Sequence, residues 1–580
     1  MDNAQKLREL RQILKAEGLD AFLVPHANEY QAEFPPECAR RLTWLTGFTG
    51  SAGMAVITLD SAMVMSDGRY TIQLTQEVDT DLFTLENSQK IKLSDWLKEN
   101  IPNAVIGYDP RLFSMTDIQT LKEKELNLKL VENNPIDQLW DGQPSPPTGE
   151  AFLFSDEVAG RRAKEKIDIV REQIKKTGAK AAVFSHPETA AWLLNIRGSD
   201  VPHTPLIRST LIVPVGGAVE WYGNLNQIPQ SIKDHLSSDV IFHDEQSWSD
   251  ALSSLANQAV LVDPKQSSAA IRNSLESVQA KIIEQDDPCI DLRACKVSAE
   301  QDAMRNAHIR DGVALVKFLK WFEENAPSQK LDELGVEEAL ENFRREAPEF
   351  KEPSFPTIAG FAGNGAIVHY RATKDSNKKI TKGNLLLLDS GGQYIDGTTD
   401  ITRTISVDKP SPDMVYHNTL VMKGHIAVAS AKFNSDTTGK EIDALARQHL
   451  QAEGLDYAHG TGHGVGCYLS VHEQATSISP REDKIFKEGM IISNEPGFYK
   501  EDAYGIRIEN LILTQSCADD QLCFETITMA PFDMNLVDAS LLSKDEVEWI
   551  NNYHQTVLEK LSPFLDENHQ EWLQQKTAAI

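Results

Sequence analysis

Apolar residues near the N-terminus follow two spacings, one after the other. Helical spacing comes first, at Leu7, Leu10, Ile13 and Leu14, and predicts an amphipathic helix. Short continuous apolar runs follow and predict strands, at LDAFLVP (19–25), MAVITL (54–59) and AMVMS (62–66). A second helical pattern covers residues 92–101. This alternation indicates an α/β domain over residues 1–150, which ends in a segment rich in Pro and Gly.

The next part of the chain, residues 151–297, repeats this plan. A charged helical segment (157–178) leads into the apolar run KAAVFSH (180–186), as the first helix leads into LDAFLVPH. Both runs end in a histidine, His26 and His186. We interpret the shared order as a diverged internal duplication and predict a second α/β domain.

Residues 298–580 show a different order, with helices first and strand-like runs later. Ser298 and Gln301 fit a capping box at the start of a long helix, and a second helical pattern covers 331–347. Further helices are predicted near 414–433 and 439–454, and strand-like runs lie at 355–370, 384–392, 394–407, 489–497 and 504–514. Helices mixed with antiparallel-looking strands predict an α+β domain.

Composition narrows the class of protein. A chain of 580 residues exceeds what one core usually holds, so several domains are expected. With 57 Lys and Arg against 86 Asp and Glu, the net charge is −29, which argues against nucleic acid or an anionic membrane as a partner. The N-terminus lacks a secretory pattern, and no apolar run is long enough to span a membrane. The six cysteines form no CxxC pair, so we expect a cytoplasmic protein without a disulfide framework.

Five residues of the third part form a candidate metal-binding set. Each lies in a short polar or Gly-rich stretch beside an apolar run, and they are Asp389, Asp400, His463, Glu495 and Glu509. Four carboxylates and one imidazole suit Mn²⁺, Co²⁺ or Zn²⁺ better than an ion that prefers thiolates. Two such ions would polarise a substrate oxygen and generate a hydroxide nucleophile near neutral pH. The set therefore indicates a hydrolase.

Each of these residues also has a simpler explanation. An Asp at a strand end is usually a cap or a turn residue, but Asp389 follows four leucines, where an unpaired carboxylate is costly. A glycine turn separates Asp389 from Asp400, so a hairpin would bring the two together. Arg507 and Glu509 share a strand face. They form either an exposed ion pair or a metal carboxylate oriented by a neighbouring guanidinium.

Four histidines lie in the same part of the chain. His459 and His463 stand among four glycines in HGTGHGVG, a density that implies close backbone packing and argues against a helical HxxxH zinc site. His472 follows in SVHEQ, and His369 ends the predicted strand AIVHY. One histidine alone is usually a core or surface residue, but four in the domain of the acidic set favour a functional site.

Taken together, these phrases resemble the pita-bread metallopeptidases, most closely the cytosolic aminopeptidase P group, also called Xaa-Pro aminopeptidases. The matching phrases of the third part are GNGAIVHY, LLDSGGQYIDGTTDITRT, KGHIA, GLDYAHGTGHGVG, VHE, ISNEPGFY and GIRIEN. Those of the first two parts are RRLTWLTGFTGSAGMAVIT, DGRYTIQ and AAWLLNIRGSD. No single phrase identifies the family, but the order and spacing of all these phrases together are specific to it. The resemblance implies two N-terminal creatinase-like α/β domains (1–150 and 151–297) and a C-terminal pita-bread α+β catalytic domain (298–580).

The resemblance implies two divalent metal ions per subunit, usually Mn²⁺, with Co²⁺ or Zn²⁺ as alternatives. Asp389 would bind one ion, and Asp400 and Glu509 would bridge both. His463 and Glu495 would complete the second ion's ligands, and Glu495 would also act as the general base. The implied reaction removes the N-terminal residue from peptides whose second residue is proline, by a hydroxide that bridges the two ions.

Four histidines and one arginine receive further roles from the resemblance. His369 and His472 would bind the substrate carbonyl and the developing oxyanion. His463 would also contact the substrate, and His459 would support catalysis nearby. Arg69, in SDGRY, would reach the peptide, across the interface of a homodimer.

Three alternatives remain open at the level of sequence. Prolidase shares the fold and the five ligands but cleaves dipeptides and carries one N-terminal domain. Creatinase-like enzymes share the fold without needing metal, and a full ligand set argues against them. A non-catalytic pita-bread binding module would be favoured by missing ligands, and here all five are present.

Overall fold

Two six-stranded sheets dominate the first of the two compact units into which the chain divides. The computed structural model describes residues 1–580, apart from the side chain of Asp519. The first unit comprises Met1–Asp156 and Arg161–Ile290, and the second comprises Glu157–Gly160 and Asp291–Ile580.

The first sheet forms where the N-terminal sequence alternates helix and strand patterns. Its elements are α1 (Asn3–Ala16), β1 (Ala21–Pro25), α2 (Arg41–Thr46), β2 (Met54–Thr58), β3 (Ala62–Ser66), α3 (Thr71–Glu77), β4 (Thr84–Asn87), α4 (Leu93–Asn100), β5 (Val105–Tyr108), α5 (Met115–Glu123), β6 (Asn127–Leu130) and α6 (Pro135–Leu139). The strand order is β4-β3-β2-β1-β5-β6. Helix α1 begins where Asp2 accepts a hydrogen bond from the Gln5 amide at 2.7 Å, and it buries Leu7, Leu10 and Leu14 as predicted.

The second sheet follows the same plan. This part of the chain comprises β7 (Phe152–Leu153), α7 (Asp156–Ala159), α8 (Ala163–Lys176), β8 (Ala181–Phe184), α9 (Pro187–Leu194), β9 (Ile196–Arg197), β10 (Ser209–Pro214), β11 (Val219–Gly223), α10 (Gln230–His235), β12 (Val240–Asp244), α11 (Trp248–Ser254), β13 (Ala259–Val262), α12 (Ala269–Ser277), β14 (Lys281–Glu284) and α13 (Pro288–Ala294). Strands β7 and β9 pair in a separate two-stranded sheet, and most of α7 belongs to the second unit. The order β12-β11-β10-β8-β13-β14 matches the first sheet strand for strand. In the first sheet β1 pairs antiparallel with β2 and parallel with β5, and in the second sheet β8 pairs antiparallel with β10 and parallel with β13. The predicted repetition of the α/β plan is therefore confirmed.

The second unit opens with two helices and continues mainly as antiparallel sheets. Its elements are α14 (Ser298–Asn325), α15 (Glu333–Arg344), β15 (Phe350–Pro353), β16 (Ile358–Phe361), β17 (Asn384–Ser390), β18 (Gly392–Tyr394), β19 (Gly397–Thr398), β20 (Ile401–Val407), α16 (Pro412–Ala429), β21 (Lys432–Phe433), α17 (Gly439–Ala452), β22 (Gly462–Gly464), β23 (Glu473–Ile478), β24 (Ile491–Asn494), β25 (Gly497–Lys500), β26 (Tyr504–Arg507), β27 (Asn510–Ser516), β28 (Leu522–Thr526), α18 (Lys544–Leu561) and α19 (Glu567–Lys576). Two three-stranded sheets run β15-β18-β19 and β16-β17-β20. A larger sheet runs β21-β28-β27-β24-β22-β23.

Four local predictions for this unit are wrong. The capping box does not use Ser298, because Val297 precedes the helix and its amide donates to Glu300 at 3.1 Å. His369 does not end a strand, since a 3₁₀ turn over Ala362–Ala366 follows β16 and His369 lies in the next turn. The runs at 394–407 and 504–514 are not single strands either. The first is divided among the end of β18, β19 and β20, and the second breaks between β26 and β27.

Candidate metal centre

A hairpin brings two of the candidate carboxylates to one end of the β16-β17-β20 sheet. Strands β17 and β20 pair antiparallel with Asp389 opposite Thr402, and Asp400 immediately precedes β20. The four leucines before Asp389 are buried, which fixes the strand in the core. Asp389 and Asp400 are themselves only 8% and 4% exposed. The predicted hairpin is confirmed.

Three adjacent strands of the larger sheet supply the other members. Glu495 follows β24 and Glu509 precedes β27, and these strands pair with Asn494 opposite Asn510. His463 lies on β22, which also pairs with β24. Its Nε2 is 3.5 Å from Asp400 Oδ2 and 3.4 Å from Glu495 Oε1. Ligand atoms of Asp400, His463 and Glu509 lie within 4.8 Å of one another.

The electrostatics of this cluster indicate a place for cations. Burial, opposed by Arg507 and reinforced by Asp400, raises the pKa of Asp389 to about 7. Burial and the neighbouring carboxylates also raise the pKa values of Glu495 and Glu509. Burial alone would lower the pKa of His463, but Asp400 and Glu495 raise it to about 9. So many buried anions need positive charge to offset their mutual repulsion.

Two unpartnered oxygen atoms fit the same conclusion. Among the described residues, Asp389 Oδ1 and Asp400 Oδ1 are buried and accept no hydrogen bond, although buried polar atoms are usually satisfied. The His463 Nδ1 contacts the Gly464 carbonyl at 3.0 Å, so its Nε2 faces the carboxylates. Carboxylate oxygens and an imidazole nitrogen converge on one small space, as a site for divalent cations requires.

Arg507 orients Asp389 and does not form the exposed ion pair considered from the sequence. It is buried, and its Nη2 donates to Asp389 Oδ2 at 2.5 Å. Glu509, also buried, accepts instead from the Thr402 hydroxyl at 2.7 Å. Arg507 Nε contacts the same hydroxyl at 3.2 Å. The Thr402 hydroxyl therefore links Arg507 to Glu509.

A tyrosine links His459 to this arrangement. His459 Nδ1 contacts the Gly460 carbonyl at 2.7 Å, and its Nε2 contacts the Tyr499 hydroxyl at 2.8 Å. Arg507 Nη1 donates to that hydroxyl at 2.7 Å, so the hydroxyl proton is directed to His459. Sequence reasoning missed Tyr499, although it ends the phrase ISNEPGFY, because a tyrosine beside a buried strand usually indicates packing alone.

His472 and His369 lie near the acidic cluster on separate segments. His472 directly precedes β23, and its ring packs edge-on against that of His463 with centroids 4.3 Å apart. His369 is half-buried in the turn after the 3₁₀ segment. The carbonyl of Val368, one residue before it, accepts from Arg507 Nη2 at 3.3 Å. One guanidinium therefore contacts both Asp389 and the segment that carries His369.

Arg403 is a buried cation near the cluster that the sequence did not single out. Its guanidinium donates to the carbonyls of Glu509 at 2.7 Å and Ala530 at 2.8 Å. It also donates to the Pro531 carbonyl at 3.1 Å and to the Tyr553 hydroxyl at 3.0 Å. Arg403 thus joins the backbone at Glu509 to the C-terminal segment.

Arg69 lies in the first unit, in a 3₁₀ turn after β3. Its guanidinium donates to both carboxylate oxygens of Asp67, at 3.0 and 2.8 Å, and its Nη1 is 3.8 Å from Glu33 Oε1. The side chain lines a cavity of about 680 Å³ within this unit and is 26% exposed. The Arg69 guanidinium is therefore bound by carboxylates and is still partly accessible to solvent.

Comparison with known proteins places the chain in a family. Residues 302–516 match Metallopeptidase family M24, and residues 520–580 match the C-terminal region of peptidase M24. Residues 6–139 and 142–300 each match the Creatinase/Prolidase N-terminal domain. Aminopeptidase P2 of Arabidopsis thaliana is 37% identical over 99% of this chain and 88% of its own. The chain belongs to metallopeptidase family M24.

Solved structures agree with this assignment. A Caenorhabditis elegans X-prolyl aminopeptidase, described as a cytosolic enzyme with a di-nuclear active site, is 31% identical and covers all of both chains, with a TM-score of 0.95. The Xaa-Pro dipeptidase of Bacillus anthracis shares the fold over 64% of the M24 chain and 99% of its own, at 22% identity and a TM-score of 0.54. The predicted fold class, two creatinase-like α/β domains followed by a pita-bread α+β domain, is confirmed. The boundaries at residues 150 and 297 stay a prediction.

None of the helices in the described part of the M24 chain is both long and apolar enough to cross a membrane.

Proposed function

We propose that this M24 chain is a metal-dependent Xaa-Pro aminopeptidase, which releases the first residue of peptides that carry proline second. The observation that carries the proposal is the cluster of three buried carboxylates with the partly buried Glu495 and His463, in a chain similar over its full length to Xaa-Pro aminopeptidases. Neither a creatinase-like enzyme without metal nor a non-catalytic binding module would need so many acidic side chains clustered in a largely buried place.

The residues of the cluster fit two divalent cations. Asp389 would hold one ion, His463 and Glu495 would hold the other, and Asp400 and Glu509 would contribute to both. Oxygen-rich ligands with one imidazole favour Mn²⁺, with Co²⁺ and Zn²⁺ as alternatives. When bound, such ions polarise a carbonyl oxygen and lower the pKa of a water molecule.

The protein's own groups supply the rest of the chemistry. Glu495, whose carboxylate accepts from the Ser493 hydroxyl at 3.1 Å, takes a proton from the attacking water and returns it to the proline nitrogen as the scissile C–N bond breaks. His369 and His472 donate to the carbonyl oxygen as negative charge develops there, a contact worth about 2.7–4 kcal/mol per donor. His463 contacts the substrate beside its ligand role, and His459, fixed by Tyr499, supports the site.

We also propose that the enzyme is a cytoplasmic homodimer in which Arg69 contacts the peptide bound by the partner subunit. The accessible side chain of Arg69 supports the contact with the partner's peptide. The six cysteines, none of which forms a disulfide in the described structure, support a cytoplasmic location. Light scattering on the purified protein gives its mass in solution, and a monomer of 64.6 kDa would contradict the dimer.

Arg69→Ala should raise KM for a tripeptide while the metal content stays unchanged.

The central test measures product release and metal dependence together. Dialysis against a chelator should abolish cleavage of Arg-Pro-Pro, and Mn²⁺ should restore it. Asp400→Asn should lower activity by more than the roughly 10–100-fold that an outer partner of a metal ligand costs. Asp408→Asn, at the exposed end of the same hairpin, is the matched control and should keep full activity. Full activity in verified metal-free protein would contradict the mechanism.

Substrate length separates the proposal from prolidase, its nearest competitor. The Xaa-Pro dipeptidase structure covers 64% of this chain, whereas the aminopeptidase structure covers all of it. We therefore expect good cleavage of Arg-Pro-Pro and poor cleavage of the dipeptide Arg-Pro. Cleavage of the dipeptide alone would identify a prolidase.

A further inference from the structure

Glu333 lies in the second unit, has no role in the site described so far, and is fully buried. It is the first residue of α15. Its Oε1 accepts from the Phe361 amide at 2.7 Å and from Asn364 Nδ2 at 3.0 Å. Its Oε2 accepts from the Tyr370 hydroxyl at 2.7 Å and from the Lys378 amide at 2.8 Å. One carboxylate thus holds four donors.

These four donors enclose the segment that carries His369. Phe361 and Asn364 lie before His369, Tyr370 follows it directly, and Lys378 closes the loop. The backbone contact is reciprocal, because the Glu333 amide donates to the Lys378 carbonyl at 3.1 Å. Glu333 therefore fixes both ends of the loop between residues 361 and 378.

The middle of the loop is fixed from the opposite side. Arg507, bound to Asp389, donates to the Val368 carbonyl at 3.3 Å. Glycines let the 3₁₀ turn approach the strand that carries Arg507, since a Cβ on Gly505 would lie 1.7 Å from the Gly365 carbonyl oxygen. With its ends held by Glu333 and its middle by Arg507, the loop has little freedom to move His369.

Such an arrangement is costly without its partners. Burial raises the pKa of Glu333, while the bonds from Phe361, Lys378, Tyr370 and Asn364 oppose that rise. A buried carboxylate is tolerated only when its lone pairs are satisfied. The hydrogen bonds from the loop therefore stabilise the buried carboxylate, and the carboxylate in turn holds the loop in place.

We propose that Glu333 is a positioning residue of the active site, which holds the His369 segment in the place where its imidazole meets the substrate carbonyl. This inference rests on the proposed function, because it assigns Glu333 an effect on the reaction only through His369. A displacement of about 1 Å can cost on the order of a hundredfold in rate, so small loop movements should be measurable.

The test compares Glu333→Gln with Glu337→Gln. Glu337 lies one turn further along α15 and is part-buried. In the described structure its Oε1 accepts no hydrogen bond, and its link to the loop is the electrostatic attraction of Arg371. Glu333→Gln keeps the shape yet presents an amide group to donors. We expect it to lower kcat for Arg-Pro-Pro by about 10–100-fold, with KM and metal content little changed. Glu337→Gln should leave both constants within about twofold.

A double-variant cycle shows whether the effect passes through His369. The combination of Glu333→Gln with His369→Ala should be no slower than His369→Ala alone, because the group to be positioned is already absent. Hydrogen–deuterium exchange gives a readout that does not need activity. Amides of residues 362–378 should exchange faster in Glu333→Gln and at the wild-type rate in Glu337→Gln.

Tyr370→Phe keeps the test decisive if Glu333→Gln folds poorly, since it removes one donor and leaves the carboxylate in place. It should give a smaller loss of kcat and faster exchange in the same segment. Effects of Glu333→Gln and His369→Ala that multiply, or unchanged exchange at 362–378, would overturn the inference. Absence of Xaa-Pro cleavage in the wild type would instead overturn the proposed function, while the exchange result would still stand.

Discussion

At the scale of single residues, the proposed metal centre holds more negative side chains than the nearby positive charge balances. Asp389, Glu495 and Glu509 have raised pKa values because burial and mutual repulsion disfavour their ionised forms. His463 has a raised pKa because the carboxylates beside it favour the imidazolium. Protons and divalent cations therefore compete for the same atoms. The pH should control both metal binding and the stability of the metal-free protein.

The sign of this pH dependence follows from the direction of the shifts. Groups whose folded pKa is raised stabilise the protein below their unfolded pKa, and this stabilisation is lost as pH rises through the folded pKa. For Asp389 the loss runs from its ordinary value up to about 7, and for His463 from 6.5 to about 9. The unfolding free energy of the metal-free enzyme should therefore decrease between about pH 4 and 9.

Calorimetry at several pH values measures both consequences. In metal-free protein the melting temperature should fall as pH rises, and added Mn²⁺ should recover it most at high pH. Mn²⁺ affinity should increase by about tenfold per pH unit for each proton displaced. Affinity that stays flat across this range would show that the cluster binds no competing protons.

At the scale of elements, close backbone packing connects the His369 loop to the strand of Arg507. Gly360 and Gly365 face each other, and Gly365 faces Gly505 of β26. A side chain at any of them would separate segments that meet through main-chain atoms. The geometry of the site therefore depends on positions that carry no chemistry.

Gly505→Ala should test this dependence. The new Cβ would lie 1.7 Å from the Gly365 carbonyl oxygen, so the segments must separate, at a cost of about 1–3 kcal/mol in unfolding free energy. Gly216→Ala, at an exposed position with open space around the new Cβ, is the control and should change stability little. Chemical denaturation measures both, and equal stability of the two variants would contradict the packing argument.

The sequence predicted the elements better than the contacts between them. Apolar spacing located α1, β1 and the β17–β20 hairpin because local burial decides their period. It failed at His369, where the glycines of GNGAIVHY form a turn instead of extending the strand. Glu333 and Arg403 could not be found in this way, since their partners are distant along the chain, and the contact of Tyr499 with His459 also spans 40 residues. The bond from Arg403 to Tyr553, for example, spans 150 residues.

At the scale of the whole molecule, net charge sets the field that a substrate meets. The chain carries −29, which favours the approach of cationic peptides and opposes that of anionic ones. Salt weakens such forces, with a Debye length of about 10 Å at 0.1 M. The net charge of the molecule thus favours cationic peptides before they reach the active site.

A pair of tripeptides makes this measurable. The ratio of kcat/KM for Arg-Pro-Pro to that for Glu-Pro-Pro should fall as NaCl rises from about 20 to about 500 mM. The fall should come mainly from Arg-Pro-Pro, whose attraction is screened. A ratio independent of salt would assign the preference to contacts inside the site.

The bonds of Arg403 also bear on how the enzyme is made. A ribosome releases the chain from its N-terminus, so all five members of the metal centre emerge before Ala530, Pro531 and Tyr553. Until those residues arrive, the Arg403 guanidinium lacks acceptors that it needs in the core, and burying it would be costly. The sheet around Glu509 is therefore completed late in synthesis. A nascent chain therefore contains all five proposed metal ligands well before it can act as a peptidase.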